Sequence, residues 1–358
     1  MVKQKRSQLE KLVERLDREM MARGASCIRD KLFNFSDSEG TPQRDDLISG
    51  IQDYYQSIAP QVQDNAFSHI NNRDLAKMLM LKARELNADR GIWGEENRKD
   101  YYEIDDIPIR KNADSVAAIC RKESLIKKEN EHEIFTLKVK NYGNVFNLCQ
   151  SEPFYHQPIA AGRLCTGFLV KDDIIATAGH CIDGDNVKDF RFVFGYKMMA
   201  PSNSTSDILL QNIYKGEKII QKIYRRLGNQ SDWALVKLDR KVEGQEVVKL
   251  SKNEIAPDRP VYIIGHPVGL PLKYSSGARV CDISDAYFSA DLSVYCGSSG
   301  SPVFDCETHE LIGIVVRGDS RDFRLVENCW KSIIYSRTDD YSKKPQCTRV
   351  SEFISDCK

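Results

Sequence analysis

The stretch Gly297-Ser298-Ser299-Gly300-Ser301-Pro302-Val303-Phe304 sets the direction of the reading. Five small residues run into a proline and then an apolar pair. Alone, such a loop before a strand is a plain turn. Two stretches upstream change its meaning. Thr177-Ala178-Gly179-His180-Cys181 follows the apolar run Asp173-Ile174-Ile175-Ala176, and Ser231-Asp232-Trp233-Ala234-Leu235-Val236-Lys237-Leu238 sets an Asp at the head of an apolar strand. A His after a strand is more often structural, and an Asp opening a strand is commonplace. The combination is not.

A serine hydroxyl is a weak nucleophile at neutral pH and needs an adjacent base. Histidine has the side-chain pKa suited to that task. A carboxylate then fixes the imidazole tautomer and stabilises the imidazolium. His180, Asp232 and Ser299 follow one of the known orders of such a triad. They lie 52 and 67 residues apart, so only the tertiary fold brings them together. Small residues around Ser299 let the backbone aim N–H groups at a developing oxyanion, with Gly297 and Ser299 as the expected donors.

The surroundings of these motifs read as strands. Arg191–Tyr196, Val261–Ile264 and Leu311–Val316 are short β-type runs between turn signals, which argues for a β-barrel or sandwich. The first hundred residues differ. Leu9, Leu12, Val13, Leu16 and Met20 make one helical stripe, with Ser7 and Glu10 as a capping box and Gly24 as a stop. A second helix is expected from Pro42 to Ile58 and a third from Asn72 to Leu86. Residues 87–105 are polar and glycine-containing and read as a linker or boundary. The helical region, residues 1–95, is expected either to bind a regulatory partner or to pack on residues 96–358.

The chain resembles the chymotrypsin-like serine proteases, and within them the bacterial branch that includes the glutamyl endopeptidases. The three motifs carry the resemblance. Cys165-Thr166-Gly167-Phe168-Leu169-Val170, Gly265-His266-Pro267-Val268-Gly269-Leu270-Pro271 and Thr348-Arg349-Val350-Ser351-Glu352-Phe353-Ile354 extend it over about residues 105–358. It implies a mainly β fold of two packed antiparallel six-stranded barrels behind an N-terminal α-helical extension. His180 and Asp232 would come from the first barrel and Ser299 from the second. It implies a primary specificity pocket with Ser293, Val294 and Tyr295 on one side and Val315, Val316 and Arg317 on the other. Glutamyl endopeptidases place a His on that second strand. Val315 stands there, so their preference does not transfer directly. Arg317 either binds an acidic side chain or faces solvent and nearby Asp319 or Asp322. Digestive members place an Asp before the nucleophile to pair with a new N-terminus. Ser298 stands there, so activity must be controlled in another way. Cys165 and Cys181 match a pair bridged in many relatives and are expected close but reduced.

Composition narrows the remainder. The 358 residues are 41 % hydrophobic and 29 % charged, ordinary for a globular chain, and exclude wholesale disorder. Lys+Arg and Asp+Glu are both 52, which gives no electrostatic case for nucleic acid or an anionic membrane. No apolar run approaches the roughly 18 residues that span a bilayer. The charged N-terminus lacks the apolar core of a secretory signal, so a cytoplasmic setting with mostly free thiols is expected for the eleven cysteines. No zinc-type Cys/His spacing occurs, and neither metal nor cofactor is expected. The expected function is a serine endopeptidase acting on protein or peptide substrates. The competing reading is a catalytically silent peptide-binding module of the same fold.

Overall fold

β-branched and aromatic residues recur through twelve strands that close into two barrels. In the computed structural model the described residues run from 91 to 353, apart from 130, 132, 163, 183–185, 203–205, 225–230, 319–321 and 338–343. The chain divides into two units, residues 1–85 and 86–358. The three expected N-terminal helices lie outside the described residues.

The first barrel comprises β1 (Val116–Arg121), β2 (Cys165–Lys171), β3 (Ile174–Thr177), β4 (Phe190–Phe194), β5 (Ile213–Tyr224) and β6 (Asp232–Leu238). Each strand pairs antiparallel with its neighbours in the closed order 1-2-3-6-5-4. The second comprises β7 (Pro260–Gly265), β8 (Lys273–Ile283), β9 (Tyr287–Ala290), β10 (Pro302–Asp305), β11 (Leu311–Arg317) and β12 (Gln346–Arg349). It closes as 7-8-9-12-11-10, again antiparallel throughout. The two closed six-stranded barrels bear out the expected fold class. They share one connectivity although the sequence carries no visible repeat.

The patterns of burial follow from closure. Strand β8 alternates, with Lys273, Ser275, Ala278 and Val280 buried and exposed or half-buried residues between them. Strand β2 is buried from Cys165 to Val170, because one face fills the barrel and the other is covered. Phe168, Phe192, Ile175, Trp233 and Leu235 fill the first core. Val261, Ile263, Val280, Phe288 and Val303 fill the second.

The polar stretch after residue 90 is built into the second barrel. Gly91 forms a bridge with Val294, Ile92–Trp93 pairs with Ile334–Tyr335, and Lys99–Asp100 adds to the edge of β8. Trp93 and Asp100 are almost fully buried. Asp100 takes the ammonium of buried Lys273, and Gln157 hydrogen-bonds both. Composition suggested a linker here because these side chains are polar. Among them Arg98 and Asp100 are buried, and each has an ionic partner, Glu96 and Lys273. The chain then enters helix α1 (Ile107–Asp114), capped by the Asp106 side chain accepting from Ile109 N at 2.9 Å, and passes into β1.

The thiols depart from expectation at one place. Cys149 and Cys329, 180 residues apart, form a disulfide. Leu148 and Trp330 lie on a parallel bridge, which brings the two backbones to a Cα separation of 4.9 Å. Seven other described cysteines take no part in this bridge, and Cys165 and Cys181 line one small apolar cavity with Cys120. Among the described residues no helix is long and apolar enough to cross a membrane.

Candidate active site

His180 sits on the single 3-10 turn Gly179–Cys181, directly after β3. Asp232 opens β6, which pairs with β3 and so lies beneath that turn. The His180 backbone N–H donates to Asp232 Oδ1 at 3.1 Å, and the His180 Nδ1 lies 2.7 Å from Asp232 Oδ2. Both carboxylate oxygens are therefore spent on one residue. The carboxylate is 2 % exposed and the imidazole 23 %. A buried carboxylate facing a ring nitrogen requires Nδ1 to carry the proton, which leaves Nε2 as the basic nitrogen. Thr348 locks the Asp232 backbone from the second barrel. Its hydroxyl accepts from Asp232 N at 3.2 Å and donates to Asp232 O at 3.1 Å. Gly179 is required by this closeness, since a Cβ there would stand 2.4 Å from the Ile223 carbonyl.

Ser299 lies in the loop before β10, between the barrels. Its carbonyl accepts from Thr166 N at 3.0 Å and from the Cys181 thiol at 3.6 Å. The residue beside His180 thus touches the residue expected to act as nucleophile.

The backbone of residues 295–301 can be accounted for donor by donor. Tyr295 N donates to Ser298 Oγ, Cys296 N to the Asp322 carboxylate, and Ser298 N to Tyr295 O. Gly300 N donates to Val315 O and Ser301 N to Ser298 O. Gly297 N and Ser299 N remain, with no protein acceptor among the described residues. These are the two donors the sequence nominated. The carbonyls on this loop are held as well. Cys296 O accepts from Val268 N at 2.5 Å and Gly297 O from Thr166 Oγ1 at 3.2 Å.

The segment Gly265–Leu270 backs this loop. Gly297 has φ +90°, and a Cβ on it would meet the His266 carbonyl at 2.8 Å. His266 itself is buried against Tyr196, with Nδ1 on the Leu270 carbonyl at 3.1 Å. Burial pushes its pKa down to about 3, so its ring is neutral near pH 7.

The expected pocket residues divide among several environments. The Ser293 hydroxyl accepts from Trp93 N at 3.2 Å. Val294 and Val315 side chains belong to the second barrel core, and Val316 joins the larger cluster of the first. Tyr295 lies under the Arg98 guanidinium at 4.4 Å. Arg317 donates to Gln346 Oε1 at 3.3 Å. Thr166, Val268 and Asp322 escaped the motif reading as parts of the site, because each acts through a backbone contact made only by the fold. The flank Gly265–Pro271 was the one signal pointing to Val268.

A family model described as the trypsin-like peptidase domain matches residues 165–314. Solved structures similar to the chain share 14–15 % identity with it. One is a Glu endopeptidase in complex with MPD, with 15 % identity, 75 % of this chain and 99 % of that chain covered, and a TM-score of 0.43. Another is the scabies mite inactivated protease paralogue S-D1, with 14 % identity, 73 % and 93 % covered, and a TM-score of 0.43. A third is the Vibrio cholerae VesB protease, with 14 % identity, 72 % and 65 % covered, and a TM-score of 0.41. No curated protein matches the chain.

Proposed function

We propose, from the match of residues 165–314 to the trypsin-like peptidase domain, that the chain is a serine endopeptidase working through His180, Asp232 and Ser299. One observation carries the reading. In the loop 295–301 the backbone donors without a protein acceptor among the described residues are the two flanking Ser298, and the same loop touches the turn that holds the His180–Asp232 pair. Gly297 is buried, and a buried backbone N–H is ordinarily paired.

The mechanism follows from the roles. His180 Nε2 takes the Ser299 proton as Oγ attacks the scissile carbonyl. Asp232 holds Nδ1–H and stabilises the imidazolium. Gly297 N–H and Ser299 N–H receive the oxyanion. His180 returns the proton to the leaving amine, and water then cleaves the acyl-enzyme by the same path in reverse. The substrate is a protein or peptide, and its residue before the cut is recognised near Ser293, Val294, Tyr295, Val315, Val316 and Arg317. Residues 1–85 are assigned a regulatory role, because Ser298 denies the chain an ion pair with a new N-terminus. The Cys149–Cys329 disulfide favours an oxidising compartment over the expected cytoplasm.

The deciding experiment is labelling by a fluorophosphonate probe. The wild-type chain labels and Ser299→Ala does not. On a cleaved peptide, Ser299→Ala lowers kcat by on the order of 10⁶ and Asp232→Asn by on the order of 10⁴. Labelling of Ser299→Ala at the wild-type rate sinks the assignment. Failure of the wild type to label, with or without residues 1–85, leaves a silent peptide-binding module.

A further inference from the structure

Cys296 is gripped from two sides. Its N–H points at the Asp322 carboxylate, 3.1 Å from Oδ1 and 3.2 Å from Oδ2. Its carbonyl accepts the Val268 N–H at 2.5 Å. The first contact fixes the peptide plane before Cys296, and the second fixes the plane after it. Only φ and ψ of Cys296 lie between those planes. Pinning both planes therefore sets both angles. The second plane also contains the Gly297 N–H. In a trans peptide that N–H points opposite to the carbonyl, so it faces away from the Gly265–Leu270 segment.

Each grip is tied into the fold. Asp322 is buried, and its carbonyl accepts from Ile333 N at 3.2 Å, closing the base of the hairpin Phe323–Val326 with Cys329–Ser332. Phe323 packs on Tyr295, with ring centroids 5.8 Å apart. The Cys149–Cys329 disulfide and the two hydrogen bonds from Ser332 to Glu152 tie that hairpin down. On the other side, Val268 is held at φ +49°, a costly angle for a β-branched residue. Strain of this kind persists only where surrounding contacts over-determine it. Here it aims the Val268 N–H at Cys296.

We propose that Asp322 is a positioning residue which, with the strained Val268 peptide, holds the Gly297 N–H toward the oxyanion of the reaction proposed above. This rests on the endopeptidase reading. Asp322 supplies from a separate hairpin a buried carboxylate for the loop, where the sequence has only Ser298 beside the nucleophile. It touches no substrate. Releasing it frees the φ angle of Cys296 and lets the donor wander from its aim.

The test uses the full chain labelled with ¹⁵N-cysteine. The Cys296 amide is identified by its loss in Cys296→Ser. A hydrogen bond to a carboxylate moves that amide proton downfield. Asp322→Ala returns it upfield and slows fluorophosphonate labelling by about 10- to 100-fold at a temperature where the variant remains folded. Asp322→Asn keeps a neutral acceptor and recovers part of the rate. An unmoved Cys296 amide in Asp322→Ala, or a labelling rate within twofold of wild type, overturns the proposal. Should Asp322→Ala fail to fold, Asp322→Asn decides by the same two readings. A wild-type chain that never labels defeats the endopeptidase reading instead, and the amide position still reports whether Asp322 grips Cys296.

Discussion

His266 connects a single titration to the stability of the whole site. Its folded pKa of about 3 lies below the ordinary value of 6.5 because the ring is buried, and its Nε2 has no acceptor or donor partner among the described residues. The depressed value means that the neutral ring is the folded form. Its contribution is complete above pH 6.5 and is lost as pH falls toward 3, at up to about 1.4 kcal/mol per pH unit. His266→Phe keeps a ring against Tyr196 and removes the titration. Its melting temperature is expected to fall less than the wild type's between pH 7 and pH 4.5; equal slopes would clear His266 of the effect. Gly179 allows a second prediction. Gly179→Ala forces the turn off the Ile223 carbonyl, which displaces His180, costs about 1–3 kcal/mol of stability and cuts turnover at least tenfold. His180, Asp232, Ser299 and Gly297 were legible in the sequence because chemistry restricts their residue types and flanks. Asp322 and Val268 were not, because a carboxylate and a backbone N–H are ordinary until the fold brings Cys296 between them.

Strands and hairpins show the same division. Phe190–Phe194, Pro260–Gly265 and Leu311–Arg317 fall within a residue or two of the apolar runs that announced them, since closure of a barrel demands an apolar inner face. Helix α1 passed unnoticed although Asp106-Ile107-Pro108 offers both a cap and a first-turn proline. The disulfide was illegible because pairing among eleven cysteines is decided by approach, not by spacing. Its consequence is measurable. Removing both partners, Cys149→Ser with Cys329→Ser, is expected to lower stability by about 2–5 kcal/mol, read as a shifted guanidinium midpoint. A midpoint insensitive both to this change and to dithiothreitol would mean that the two sulfurs are not joined in the folded protein.

Across the whole molecule, the boundary at residues 85 and 86 makes a different kind of prediction. Deleting residues 1–85 keeps residues 91–105 and with them the interior of the second barrel. Deleting residues 1–105 removes Trp93, Arg98 and Asp100 from the interior and leaves Lys273 a buried charge without its counter-ion, which is strongly destabilising. Equal melting of the two truncations would contradict the packing of residues 91–105. Rates of labelling by the shorter truncation report regulation: a rise means inhibition by residues 1–85, and an unchanged rate points to partner binding. The common connectivity of the barrels was hidden in the sequence because closure constrains the inward pattern of each strand and not the residues that meet it.

The bond between Trp93 N and Ser293 Oγ joins positions 200 residues apart. A ribosome adding 5–20 residues per second takes roughly 10–40 s to cover that distance. The first barrel, complete at Leu238, can close during this interval, while the segment from Gly91 to Asp100 waits for partners not yet made. Ser299 emerges after His180 and Asp232, and Thr348 follows later still. Under the proposed triad, birth order works as a safeguard: a half-made chain would carry a base without a nucleophile, and would have nothing with which to cut its neighbours on the polysome.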